Sequence, residues 1–156
     1  MAGHLKGSWL ALSRTADIDF TFQAPVTVSV VVHALSASGW SPVEPLGVSY
    51  AVEDEDDDLE WVRAHPDSLE QVIATLASRE RQGQEVAISI YNAEAQTGGI
   101  LHFFAKKTEV SFSPRIDRRS HPVAEEMTDL PWYLNSMLPA LFGIGLLGYQ
   151  AQDMAD

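Results

Sequence analysis

Residues 67–91 read DSLEQVIATLASRERQGQEVAISIY and hold one helix, one tight turn and one strand. Leu69, Val72, Ile73, Leu76 and Ala77 recur at i, i+3, i+4, i+7 and i+8, which is a single apolar stripe on a helix. Asp67 has the chemistry of an N-cap, and Glu70 three residues on completes a capping-box pattern. Arg79 and Arg81 fall in the last turn, where positive charge suits the helix dipole. Gly83 fits the position just past the helix end. Val86, Ile88 and Ile90 then alternate with Ala87, Ser89 and Tyr91, the period of a strand with one buried face. A one-sided helix followed at once by a one-sided strand predicts helices laid over a sheet.

Upstream, Ile18, Phe20 and Phe22 alternate strictly with Asp17, Asp19 and Thr21, and Val48, Tyr50 and Val52 share one face of a strand over residues 47–52. A weaker strand-like piece at residues 8–13 is expected to join the first of these around Arg14-Thr15-Ala16. Residues 26–35 are ambiguous. The β-branched run Val26 to Val32 favours a strand. Pro25 at a helix start, Gly39 past its end and the stripe Val28, Val31, Ala34 and Leu35 favour a helix, which is the reading adopted.

Downstream, residues 86–91, 100–105 and 109–116 read as an antiparallel meander, with a turn-rich loop over 92–99 that ends in Gly98-Gly99. Pro114 places the last member near an edge or at a bulge. Thr128 or Asp129 caps a final helix from Leu130 to about Leu147, with Pro131 in its first turn and Pro139 kinking or ending it. Residues 132–149 are the most apolar run. Asn135, Pro139 and three glycines break it, so it reads as a buried helix rather than a membrane span.

The expected fold is a single α+β domain over residues 1–156: a largely antiparallel sheet of five to six strands, with two to three helices packed mainly on one face. If residues 26–35 were a strand, the alternative is an all-antiparallel β sandwich.

Composition narrows the function. The chain has 10 basic and 22 acidic residues, a net charge of −12. Seven of the acids lie in residues 53–60, leaving 15 acids against 10 bases elsewhere. A bare nucleic-acid binder needs a dominant basic surface, so that class is disfavoured, and a basic partner is the natural complement. The absence of cysteine rules out disulfides, thiolate metal sites and a cysteine nucleophile. The first residues, MAGHLKGSWLALS, have too short an apolar run for a secretory signal, so a cytoplasmic location is expected.

No catalytic motif emerges. Asp54-Glu55-Asp56-Asp57-Asp58 starts like a calcium loop, but the sixth position is Leu59 where glycine is needed and the twelfth is His65 where a bidentate glutamate is needed. Gly143-Ile144-Gly145-Leu146-Leu147-Gly148 matches the dinucleotide glycine pattern, yet it follows a helix rather than a strand. The five histidines show no metal-ligand spacing. Arg115, Arg118, Arg119 and His121 form a small basic cluster, read as a solvated turn or a counterweight to acids before an anion site.

These features point to a small, acidic, non-catalytic binding protein without metal or cofactor, of the kind a bacterial toxin-neutralising immunity protein or inhibitor would be. Its partner-binding residues are expected to be Glu53, Asp54, Glu55, Asp56, Asp57, Asp58 and Glu60, which steer a basic protein, and Trp61, which anchors it. Two alternatives remain open: a homo-oligomeric accessory protein with the C-terminal apolar helix as interface, and an enzyme with a site around His102, Asp117 and Arg118.

Overall fold

A computed structural model describes residues 13–156. The expected strand over residues 8–13 lies, but for Ser13, outside the described residues. The elements in chain order are β1 (Arg14–Phe22), α1 (Val28–Ser36), β2 (Trp40–Ser41), β3 (Val48–Glu53), β4 (Leu59–Ala64), a 3₁₀ turn (Pro66–Ser68), α2 (Leu69–Arg81), β5 (Val86–Asn92), β6 (Thr97–Phe103), β7 (Glu109–Ile116), α3 (Leu130–Phe142) and β8 (Leu146–Ala155). The strands form one antiparallel sheet of order β4-β3-β5-β6-β7-β1-β8, and the short β2 pairs with β5 beyond the end of β3. The fold is α+β, with eight strands in place of the expected five to six and with three helices among the described residues.

Burial follows from alternation across this register. Ile18, Phe20, Phe22, Val110, Phe112, Leu101, Phe103, Val86, Ile88 and Ile90 point to one face, where they share a core with Val28, Val31 and Leu35 of α1, Val72 and Leu76 of α2, and Tyr133, Met137 and Leu141 of α3. No helix lies on the opposite face among the described residues.

Several local expectations need correction. The helix read in residues 26–35 is present as Val28–Ser36, so the β sandwich falls, but its start differs: Thr27 caps it, its hydroxyl accepting from the Val30 amide, and Pro25 lies before the cap. Arg14-Thr15-Ala16 is the start of β1 rather than a join. Asp67 does not cap α2: Pro66 sets up a 3₁₀ turn first, and Ser68 stands at the cap without a side-chain bond. Gly98 and Gly99 lie inside β6 instead of ending a loop. A Cβ at Gly98 would run into the Ile90 carbonyl, and one at Gly99 into the Ser113 carbonyl, so glycine permits the close strand approach there. Pro114 sits in the interior strand β7, beside a register shift against β6, so it marks a bulge rather than an edge. Asp129 does cap α3, accepting from the Trp132 amide. That helix ends at Phe142 rather than near Leu147. Gly145 takes a positive φ of 94°, and the chain turns into β8, a strand the sequence reading did not contain. Among the described residues, no helix is long and apolar enough to cross a membrane.

The helical layer carries one buried acid. Glu80 of α2 reaches the first turn of α1, where its carboxylate oxygens accept from the Val28 amide at 3.2 and 3.3 Å. Burial pushes this carboxyl above its usual range, against the pull of the Val28 bond and the Lys107 ammonium. The folded protein therefore holds the Glu80 proton more tightly than the unfolded chain does. That contribution to stability is fully present below pH 4.5 and is lost as pH rises through the raised value. Wild type compared with Glu80→Gln by urea unfolding should lose stability, relative to the variant, from pH 4.5 to neutrality; a difference that stays flat with pH would refute this.

Leu141 is 1% exposed, so α3 spends its apolar face on the core. Leu141→Glu should cost about 4 kcal/mol or more and unfold the domain. A folded variant of reduced assembly size, seen by circular dichroism and sedimentation, would instead make this face an interface.

Candidate partner-binding surface

The acidic run is the tip of the β3–β4 hairpin at one end of the sheet. β3 and β4 pair from Val48↔Ala64 to Glu53↔Leu59, and residues 54–58 close the loop. Asp54 organises it. Its Oδ1 accepts from the Asp56 amide at 2.8 Å and the Asp58 amide at 3.0 Å, and its own amide donates to the Asp58 carbonyl. Asp57 adopts a positive φ of 62°, which aspartate tolerates better than most residues. The carboxylates of Glu55, Asp56, Asp57 and Asp58 are left exposed on a defined loop. Asp54, by contrast, spends part of its charge on backbone amides, so it acts as a loop former. Among the described residues, no group of three His, Cys, Asp or Glu is placed to hold a metal ion.

The remaining expected site residues separate. Glu53 faces inward along the sheet: its Oε2 accepts from the Glu85 amide at 3.0 Å, and its carbonyl accepts from Arg79 at 2.9 Å. It fastens the hairpin to β5 and α2. Glu60 stands opposite Val52, on the side that carries the helices. Trp61 stands opposite Ala51 on the uncovered face and is 45% exposed. The structure thus brings the tip carboxylates and Trp61 to one corner of the sheet and assigns Glu53 a structural role.

Register reveals a larger surface that spacing in the sequence does not. One row crosses the uncovered face through Trp61, Ala51, Ala87, His102, Ser111, Asp19 and Gln150. The small residues Ala51, Ala87, Ser89 and Ser111 form its floor and are buried beneath their longer neighbours. Acids border it: Asp17 and Asp19 from β1, Glu109 opposite Thr21, and Glu85, which bonds His102 Nε2 at 3.0 Å. His102 also stacks on Phe104, with ring centroids 4.3 Å apart. A concavity of about 510 Å³ lies at the β8 side of this face, between Asp19, Thr21, Phe104, Glu109, Gly148 and Gln150.

The basic cluster is largely structural. Arg119 Nε donates to Asp129 at 3.3 Å, and its guanidinium lies 4.8 Å from the Trp132 ring centroid. Arg118 donates to the Thr128 hydroxyl at 3.0 Å, and His121 Nδ1 accepts from the Val123 and Ala124 amides. These bonds pin residues 117–129 to α3. The enzyme constellation does not assemble. His102 lies one residue from the end of β6, whereas Asp117 and Arg118 follow the end of β7 that pairs with the start of β6, roughly five strand residues or about 17 Å along the sheet.

No family model matches the chain, nor does any curated protein or solved structure.

The division of labour in the hairpin is testable. Asp54→Ala should lower stability by about 1 kcal/mol, while Asp54→Asn, which keeps the acceptor, should change it by only a few tenths. Equal unfolding midpoints for the two variants would remove Asp54 from its organising role.

Proposed function

We propose that this chain is a non-catalytic binding protein that captures a basic protein partner, as a toxin-neutralising immunity protein or inhibitor would. The observation that carries the reading is the corner where Glu55, Asp56, Asp57 and Asp58 project into solvent beside the half-exposed Trp61. Exposed carboxylates on a fixed loop attract a basic protein over about 10 Å at moderate salt and raise its encounter rate. They add less to residence time, because they stay solvated. Residence needs a desolvated anchor, and a tryptophan on an open sheet face supplies one.

The uncovered face extends the complement. Asp17, Asp19, Glu85 and Glu109 continue the acidic border away from the hairpin, and the floor of small residues lets a partner approach the sheet closely. β4 adds a second means of contact. Among the described residues it is an end strand, with Val62 38% exposed along it, so its outer backbone groups can take an extended segment of a partner.

Affinity capture from the source lysate tests the reading, with wild type and the Asp54/Asp56/Asp57/Asp58→Asn variant side by side. The asparagines keep the loop's acceptors and remove its charge. A basic protein should be held by wild type and lost or diminished on the variant. Its association should slow by about tenfold or more and lose salt dependence. Trp61→Ala should instead speed dissociation, weakening binding by about 2 kcal/mol. Identical captures by both baits would remove the hairpin from function.

A further inference from the structure

The sheet ends on β8, and among the described residues no strand lies along its outer flank. An open strand edge is a template for another strand, and proteins usually guard it with lysine, proline or short length. β8 has none of these three guards and keeps only two milder ones, a bulge near its start and one inward-turned charge. It runs for ten residues without proline, lysine or arginine, and its one bulge is confined to Leu147. Its single charged residue, Asp153, is turned inward. That carboxylate accepts from Arg14 at 2.7 Å and from the Thr128 amide at 2.6 Å, and its side chain is 2% exposed. A chain of net charge −12 thus presents one long rim free of outward charge. Tyr149 and Met154, 46% and 62% exposed, stand on opposite faces of it.

The rim is also self-complementary. Gln150-Ala151-Gln152 reads the same in both directions, and an antiparallel pair centred on Ala151 sets Gln150 against Gln152 of the partner subunit. Glutamine both donates and accepts, so this pair can bond without any difference between the two copies. The same register sets Gly148 against Met154 of the partner subunit, leaving the long side chain room. A basic protein finds no free carboxylate on this strand, whereas a second copy meets no outward like charge along it.

We propose that β8 pairs antiparallel with β8 of a second copy of this chain, about a two-fold axis at Ala151. Antiparallel neighbours related in this way have the axis perpendicular to the sheet, so the two uncovered faces lie on the same side. The two acidic hairpins then stand at opposite ends of one continuous surface. This differs from an interface through α3, whose apolar face is already in the core, and it holds whether or not the hairpin binds a basic protein.

The chain has no cysteine, which makes a single-cysteine test clean. Ala151→Cys should form a covalent dimer under mild oxidation, at twice 17.1 kDa, about tenfold or more faster than the exposed loop control Ala93→Cys. Wild type should sediment as a concentration-dependent dimer. Gln150→Lys/Gln152→Lys sets like charges against each other across the axis, while each lysine faces Asp19 or Asp17 on its own β1. That variant should keep the wild-type circular dichroism and sediment as a monomer. Equal cross-linking rates at positions 151 and 93 would overturn the proposal. So would a wild type that stays monomeric at every concentration, which leaves the edge to residues 1–12 or to a different protein. A dimer untouched by the lysine pair would place the interface elsewhere.

Discussion

The buried hydroxyl of Tyr133 is the interaction on which the packing turns. Its ring is fully buried among Trp40, Phe112 and Trp132, with centroid separations of 6.4, 5.7 and 5.1 Å. A phenol taken that deep is tolerated only if its polar end is satisfied. Two partners from separate parts of the chain satisfy it. It shares a 2.6 Å bond with the Thr97 hydroxyl at the start of β6, and it accepts from the Arg119 amide at 2.9 Å. One residue of α3 thereby fixes that helix to the middle of the sheet and to the segment after β7. Met137 and Leu141 follow one and two turns later on the same stripe, so the seat of Tyr133 sets where α3 meets the core. The bond from Trp40 Nε1 to Ser136 at 2.8 Å repeats the device on the next turn.

Periodicity made the centre of the fold legible. The stripe on α2 and the alternation in β1, β3, β5 and β7 are each strong enough locally to survive any tertiary context. Failures came where local chemistry had two readings. Leu146-Leu147-Gly148-Tyr149 continues an apolar helical run, and only pairing with β1 makes it a strand. Gly98-Gly99 looks like a turn because most paired glycines are, while here close approach of neighbouring carbonyls requires them. Asp67 has the right chemistry for a cap, but Pro66 one residue earlier starts a tighter turn. Leu59 to Ala64 shows mixed polarity because it is an end strand among the described residues, with parts of both faces in water.

The candidate surface was legible only in its contiguous part. Seven acids in eight residues are visible to anyone reading the chain, and so is the tryptophan beside them. What the sequence hid is that Glu53 and Asp54 are occupied with backbone amides, and that Glu60 faces away from Trp61. Asp17, Asp19, Glu85 and Glu109 belong to three separate stretches of chain. Nothing in their spacing relates them, because strand register is a property of the pairing and not of the residues alone.

The pairing of β1 with β8 also governs the order of events in folding. Arg14 and Asp153 are 139 residues apart, yet they are bonded, and β1 reaches its full complement of backbone bonds only when β8 arrives. Closing so long a loop is slow compared with forming α2 and its neighbouring strand. During synthesis the row Ile18, Phe20 and Phe22 is therefore made before β7 and β8, and gains its last neighbour only when β8 has been made. Until β7 and β8 have been made, that aromatic strand lacks both neighbours, and this is the interval in which a holding chaperone would matter most.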